Sequence, residues 1–353
     1  MVSGKTMKIL AVAAIAVAAA ACKKNEETTT LPSLEGRVTF SIDRFIGINE
    51  KVTMTASGAI NPSGGEITYT WAVNPAISES DEDDETGENS STGTEFTLDF
   101  GDRLRTYTVT CSASASGYYG ISSSRSTTVV RPGLDGEGSI TGTDISGLES
   151  IAAENGGKYY YRTIGCLDWF VQNLADKEPV SPDTDEYGIP YGNVEVMSDI
   201  FGRYYSYNEA VKACPDGWRL PTESEWEECL ETAGNQDGAA GNQGDEGFQT
   251  GMLMADVHFN GEKMWEFWPE VKITDSKGFS AMPVGYANMA DRSFSGMYER
   301  AAFWVAPDSG NEEGTTATVK WLYMDNPQVQ TFTKADKESF GASVRCVRER
   351  QGN

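Results

Sequence analysis

Histidine is almost absent: 353 residues carry one, His258. A histidine-based catalytic triad therefore has a single place to stand, and zinc sites built on repeated Cys and His spacing have none. Around His258, the sequence DVHFNGEKMWEFW offers no nucleophile at a recognisable elbow. Basic charge is scarce too, 28 Lys and Arg against 53 Asp and Glu, for a net charge of −25. No basic stripe is present to neutralise a phosphate backbone, which argues against nucleic acid as a partner. The apolar run at the N-terminus, Ile9 to Ala21, is too short to span a bilayer comfortably as a mature helix.

That run follows Lys5 and Lys8 and ends in small residues before Cys22, the form of an export signal over residues 1–21. Ala-Ala-Ala-Cys resembles a bacterial lipoprotein cleavage site, with Ala19 where leucine is more usual. Cleavage leaves Cys22 as a lipidated first residue, which anchors the chain in an outer membrane, facing the cell exterior. Residues 22–35, with KKNEETTTLPS, read as a polar, flexible tether, and they look like the export tag of Bacteroides-group surface lipoproteins. An exported chain meets conditions in which disulfides persist. Beyond Cys22 stand Cys111, Cys166, Cys214, Cys229 and Cys346, an odd set that leaves at least one thiol unpaired.

From residue 36 to 131 the apolar positions recur with period two. Val52, Met54 and Ala56 alternate with polar residues, as do Ile67, Tyr69, Trp71 and Val73, then Phe96, Leu98 and Phe100, then Tyr107, Val109, Cys111 and Ala113. Such runs, punctuated by Gly, Asn, Pro and Ser, predict strands of an antiparallel β-sandwich. GGEITYTWAV and RTYTVTCSASASG resemble the PKD family of immunoglobulin-like modules. Cys111 has no second cysteine in this unit and reads as a buried thiol. The acidic stretch SESDEDDETGENSSTGTE lacks ligand spacing for calcium and reads as a solvated loop. Residues 132–139, within RPGLDGEGSITG, supply the proline and glycines of an interdomain linker with little that packs.

The second unit spans 140–350. Ser206 with Glu209 and Thr222 with Glu225 are two capping boxes, each a hydroxyl that caps a helix and a glutamate that bonds back. Tyr207, Ala210, Val211 and Cys214 fall on one helical face, and Trp226, Cys229, Leu230 and Ala233 on another. CPDGWRLPTESEWEECL is thus a helix end, a turn, an extended segment and a new helix start. Asp183 and Asp185, with Gly188, form a partial calcium-loop pattern whose closing position is Val194 and not glutamate. Calcium is the one cofactor this unit hints at. Trp265, Trp268 and Trp304, with Phe259, Phe267 and Trp321, offer either a stacking platform for a ligand or core packing, Trp268 being the most exposed candidate.

IGCLDWFVQNL, YYSYNEAVKACPDGWRLPTESEWEECL, GFSAMPVGY, FWVA and GASVRCV occur in the order of the Fibrobacter succinogenes major paralogous domain, which the second unit resembles. WRLPTESEWEE followed far later by SVRCV is also similar, more distantly, to formylglycine-generating enzymes and C-type lectins. The resemblance implies a multidomain chain, an all-β immunoglobulin-like sandwich followed by an α+β C-type-lectin-like domain whose last strand returns beside its first. It also implies a Cys214–Cys346 bridge, worth on the order of 4 to 5 kcal/mol by chain entropy. Cys166 and Cys229 then either pair or leave Cys229 as a core thiol. The lectins' calcium-dependent sugar motifs, Glu-Pro-Asn, Gln-Pro-Asp and Trp-Asn-Asp, do not occur. The function implied is non-catalytic binding or adhesion by a cell-surface lipoprotein, fimbria-associated adhesion included, toward a host or bacterial surface glycan or protein. The alternatives are a glycan-binding accessory of a polysaccharide uptake system and a formylglycine-generating-type enzyme, whose paired reactive cysteines have only Cys346 to match.

Overall fold

The computed structural model describes residues 30–77, 90–153, 156–177, 187–231, 249–266, 268–310 and 313–350. Cys22, residues 78–89 of the acidic stretch, Asp183 and Asp185 lie outside the described residues, and the end of that stretch is not loop: Ser90–Thr92 is a strand and Glu95 starts another, Glu95–Asp99. The chain is β-rich, with a few short helices. Among the described residues no helix is long and apolar enough to cross a membrane.

In the first unit the strands Thr68–Asn74 and Thr106–Ser114 alternate exposed and buried positions, as TYTWAVN and TYTVTCSAS dictate. Tyr69, Trp71 and Val73 stand opposite Ala113, Cys111 and Val109, so both strands present one apolar face. They sit in a five-stranded sheet ordered Phe45–Gly47, Ile121–Val130, Thr106–Ser114, Thr68–Asn74, Ser90–Thr92. Two smaller pairs, Glu35–Thr39 with Ser57–Ile60 and Lys51–Thr55 with Glu95–Asp99, add Val38, Met54, Phe96 and Leu98 to the same core. Trp71 is its centre: its ring meets Phe40 edge-on at 5.1 Å, and its Nε1 donates to Gly93 O at 2.9 Å. Cys111 is a free buried thiol, pushed up to about 11 by burial. Ser33 and Leu34, expected in the tether, are already attached. Leu34 is buried, and its N–H donates to Tyr119 O at 3.0 Å.

The second unit is built on a four-stranded antiparallel sheet ordered Glu149–Ala152, Lys158–Ile164, Leu167–Phe170, Val347–Glu349. The final strand therefore returns beside Leu167–Phe170, and not beside Ile140–Thr141 at the start of the unit. A three-stranded sheet, Arg300–Val305, Thr316–Tyr323 and Gln330–Asp336, lies alongside. The segment leading into the last strand is stitched on both sides. Tyr205 and Ala342 exchange backbone bonds of 3.0 and 3.1 Å, Leu174 N donates to Val344 O, and Phe170 N donates to Cys346 O.

Both capping boxes form. Ser206 N donates to Glu209 Oε2 at 2.7 Å and Thr222 N to Glu225 Oε2 at 2.8 Å, so helices Tyr207–Ala213 and Glu223–Glu231 start where those serine and threonine hydroxyls stand. Between them Gly217 adopts φ 80°, a left-handed turn that glycine takes without steric cost. Trp218 then packs on Phe170 at 4.4 Å between ring centres, and Arg348 lies over Trp218 and Tyr161 at 4.6 and 4.5 Å. Arg219 grips Glu225 with two bonds of 2.8 and 2.6 Å while its backbone pairs with Val347. Cys214, Trp218 and Arg219 of this stretch thus join the two helices to the final segment of the chain.

The junction between the units differs from the expected loose linker. Arg131 N donates to Ser139 Oγ and Ser139 N to Arg131 O, both at 2.8 Å, so residues 132–138 form a loop pinched at its base. A Cβ on Gly138 would collide with Gly133 O, because the two arms of that loop touch. Phe45 and Val130 of the first unit are buried with Ile140, Phe201 and Phe259 of the second in one core, and Asn260 Nδ2 donates across to Val129 O at 2.9 Å. The linker packs too: Leu134 lies against that same core, and Gly138 and Ser139 are buried.

Candidate functional site

The structure separates the aromatic candidates. Trp265 and Trp304 are fully buried, and their indole N–H groups donate to Ala281 O at 3.1 Å and Tyr205 O at 2.7 Å. Both are core residues and neither presents a face to a ligand, which corrects their place in a platform. Phe259 is likewise buried, against Phe45 and Phe201. Trp268 is exposed, at 40 %, and Phe267 lies outside the described residues. His258 is half-buried, its Nδ1 3.1 Å from Asp256 O. Among the described residues no group of three or more His, Cys, Asp or Glu side chains is arranged to hold a metal.

The cysteines divide in a similar way. Cys214, at the end of the first capped helix, is bonded to Cys346, with Cα atoms 5.8 Å apart. Cys166 and Cys229 do not pair; both are free thiols. Cys229 faces inward on its helix beside Trp226, where burial pushes its thiol up to about 12. Cys166 sits on the exposed turn between Lys158–Ile164 and Leu167–Phe170, beside Glu228, which raises its thiol by accepting its hydrogen bond.

The open aromatic surface of the second unit lies on its three-stranded sheet. Direct pairing places Arg300 opposite Tyr323, Ala302 opposite Trp321, and Trp321 opposite Gln330, so these side chains share a face. One end of that face is closed: Tyr286 and Phe340, stacked on each other, pack edge-on against Trp321 at 5.4 and 5.8 Å. The other end is open. Tyr323 stacks on Trp321 at 5.6 Å and 22°, Arg300 lies 5.3 Å over the Tyr323 ring, and Phe332 stands 46 % exposed. Together with Asp325, Asn326 and Gln330 these residues line a groove of about 850 Å³. The Arg300 guanidinium donates to Glu299 at 2.6 Å, which keeps it firmly charged.

Such a groove has rings for apolar faces, and amide, carboxylate and guanidinium groups at its rim for hydroxyls. That combination suits a polar ligand with flat apolar patches. Of its aromatic residues only Trp321 stood among the sequence candidates. Tyr323 was legible as a neighbour, two residues from Trp321 along one strand and hence on its face, whereas QTFTKAD has no alternation that marks Phe332.

A family model for the Fibrobacter succinogenes major domain matches residues 163–348, more than half of the chain. A search of curated proteins found no match. The matched span contains the strand Leu167–Phe170, both capped helices, the Cys214–Cys346 bridge and the aromatic groove. The chain belongs to the Fibrobacter succinogenes major domain family.

Proposed function

We propose that the protein is a non-catalytic cell-surface lipoprotein that binds a glycan through the groove of Tyr323 and Phe332, whose floor is the buried Trp321. The observation that carries this reading is the open end of the sheet face, where an aromatic row emerges from the core beside an arginine and two amides. In this reading the first unit is a PKD-like, immunoglobulin-like spacer, supported by its alternating strands and the inward Trp71. The second unit is a C-type-lectin-like domain, supported by its two capped helices and its returning final strand. Adhesion to a surface and service to a polysaccharide uptake system both use such a groove. The enzyme alternative has weaker support, since Cys346 is held in the bridge.

A glycan array probed with the mature protein is expected to retain at least one glycan. Tyr323→Ala and Phe332→Ala should each weaken retention by roughly tenfold, the effect of losing one stacking ring of about 1.4 kcal/mol. An array with no retained glycan, or retention indifferent to both substitutions, removes the groove from the reading.

Anchoring is tested separately. Cys22→Ser is expected to move the protein from the membrane fraction to the soluble exported fraction, measured by fractionation and immunoblot. Unchanged partitioning speaks against lipidation at Cys22.

A further inference from the structure

A second cleft, of about 450 Å³, lies where the two units meet. Its composition is unusual for this chain. In a protein of net charge −25, Arg44 and Arg105 both line it, and among the described residues neither makes an ion pair. Arg44 lies over the rings of Phe45 and Tyr191 at 5.3 and 5.9 Å, and Arg105 over Tyr107 at 5.7 Å. A guanidinium left without a carboxylate in so acidic a molecule remains available for an external one.

The cleft also holds an acceptor without a donor. Asn260 lines it from the second unit, and its Nδ2 donates to Val129 O, which settles which end of the amide is oxygen. That oxygen, Asn260 Oδ1, is buried and has no hydrogen-bond partner among the described residues. Tyr298, on the opposite wall, is held at φ 68° with its N–H bonded to Pro283 O at 2.8 Å. A tyrosine in the left-handed region is strained, a cost found where a side chain must be aimed. Glu262 completes the wall with a second acceptor.

We propose that this cleft binds a sugar bearing a carboxylate, a uronic or sialic acid residue. The two guanidinia take the carboxylate, Glu262 accepts from a ring hydroxyl, and Tyr191 and Tyr298 face the ring. A neutral sugar leaves both guanidinia unused, while an inorganic anion leaves Glu262 and the rings unused. The volume suits one or two sugar rings. This site rests on residues of both units and is independent of the sheet-face groove.

Titration calorimetry of the full chain with glucuronic acid and N-acetylneuraminic acid, against methyl glucoside and sulfate, tests it. At least one acid is expected to bind at least about tenfold tighter than both references, since a charge-assisted bond is worth roughly 1.5 to 3 kcal/mol. Arg44→Gln and Arg105→Gln should each weaken that binding by about tenfold or more, with the melting temperature unchanged. Phe332→Ala, in the other groove, should leave it intact. Equal binding of the neutral sugar, equal competition by sulfate, no binding of either acid, or indifference to both arginine substitutions overturns the proposal.

Discussion

Cys214→Ser and Cys346→Ser are each expected to lower the unfolding free energy by about 4 kcal/mol, and the double variant to add little to either. The bridge spans 132 positions and ties the end of a capped helix to the segment entering the last strand. Opening it restores to the unfolded chain the freedom of a long loop, a loss comparable with much of the 5 to 15 kcal/mol that stabilises an ordinary domain. Either substitution alone opens the bridge, which is why the effects do not sum. Cys346 is fully buried, so serine there also places a hydroxyl in the core. Cys346→Ala separates that contribution from the bridge itself. Urea denaturation of the oxidised and reduced wild type beside the variants measures the difference, and mass spectrometry of the unreduced digest identifies the linked peptide. Free alkylation of both thiols in the oxidised protein would overturn the assignment.

One residue before Cys346, Arg345 is expected to matter as much. Its side chain is fully buried, and among the described residues no carboxylate bonds to it directly, although the charge of Asp275 acts on it. Instead Nε donates to Asn173 Oδ1 at 2.8 Å, Nη1 to Phe170 O and Phe279 O at 3.0 and 2.6 Å, and Nη2 to Ser280 O at 3.0 Å. The guanidinium also lies 4.7 Å over Phe279 and 5.6 Å from the centre of Phe303. Three carbonyls and one amide from two separate loops thus converge on one planar donor. Arg345→Met keeps most of the volume and strands those acceptors, a loss of about 3 to 5 kcal/mol. Arg345→Lys keeps the charge but cannot reach all four with one ammonium, and is expected to recover less than half of it. The same urea titrations decide the matter, and an Arg345→Met variant as stable as wild type would show that the network contributes nothing.

The strands were readable where the pattern is local. Period-two alternation located Tyr69, Trp71 and Val73 and their partners, and the two capping boxes located both helix starts, because each signal lies within a few residues. The bridge needed the resemblance, since nothing in the spacing of five cysteines chooses Cys346 for Cys214. Burial was harder to read. Phe45 and Val130 lie outside the alternating runs, and nothing local tells that they are buried in the core of the neighbouring unit. Residue type misled at Trp265 and Trp304, whose indoles satisfy themselves on buried carbonyls, while Tyr323 and Phe332 owe their exposure to where Tyr286 and Phe340 stop covering the sheet.

The strand Val347–Glu349 has a consequence for how the chain is made. Its Arg348 meets Asp168 from 180 positions away, so the sheet of the second unit stays open until a very long loop has closed. Closing such a loop costs little more free energy than closing a shorter one, but the search is slow. Until it ends, Leu167–Phe170 is a bare sheet edge and the extended backbone at Arg219 lacks its partner, both able to pair with another molecule. The rate at which the final segment docks therefore sets how long a newly made copy is open to aggregation with its neighbours.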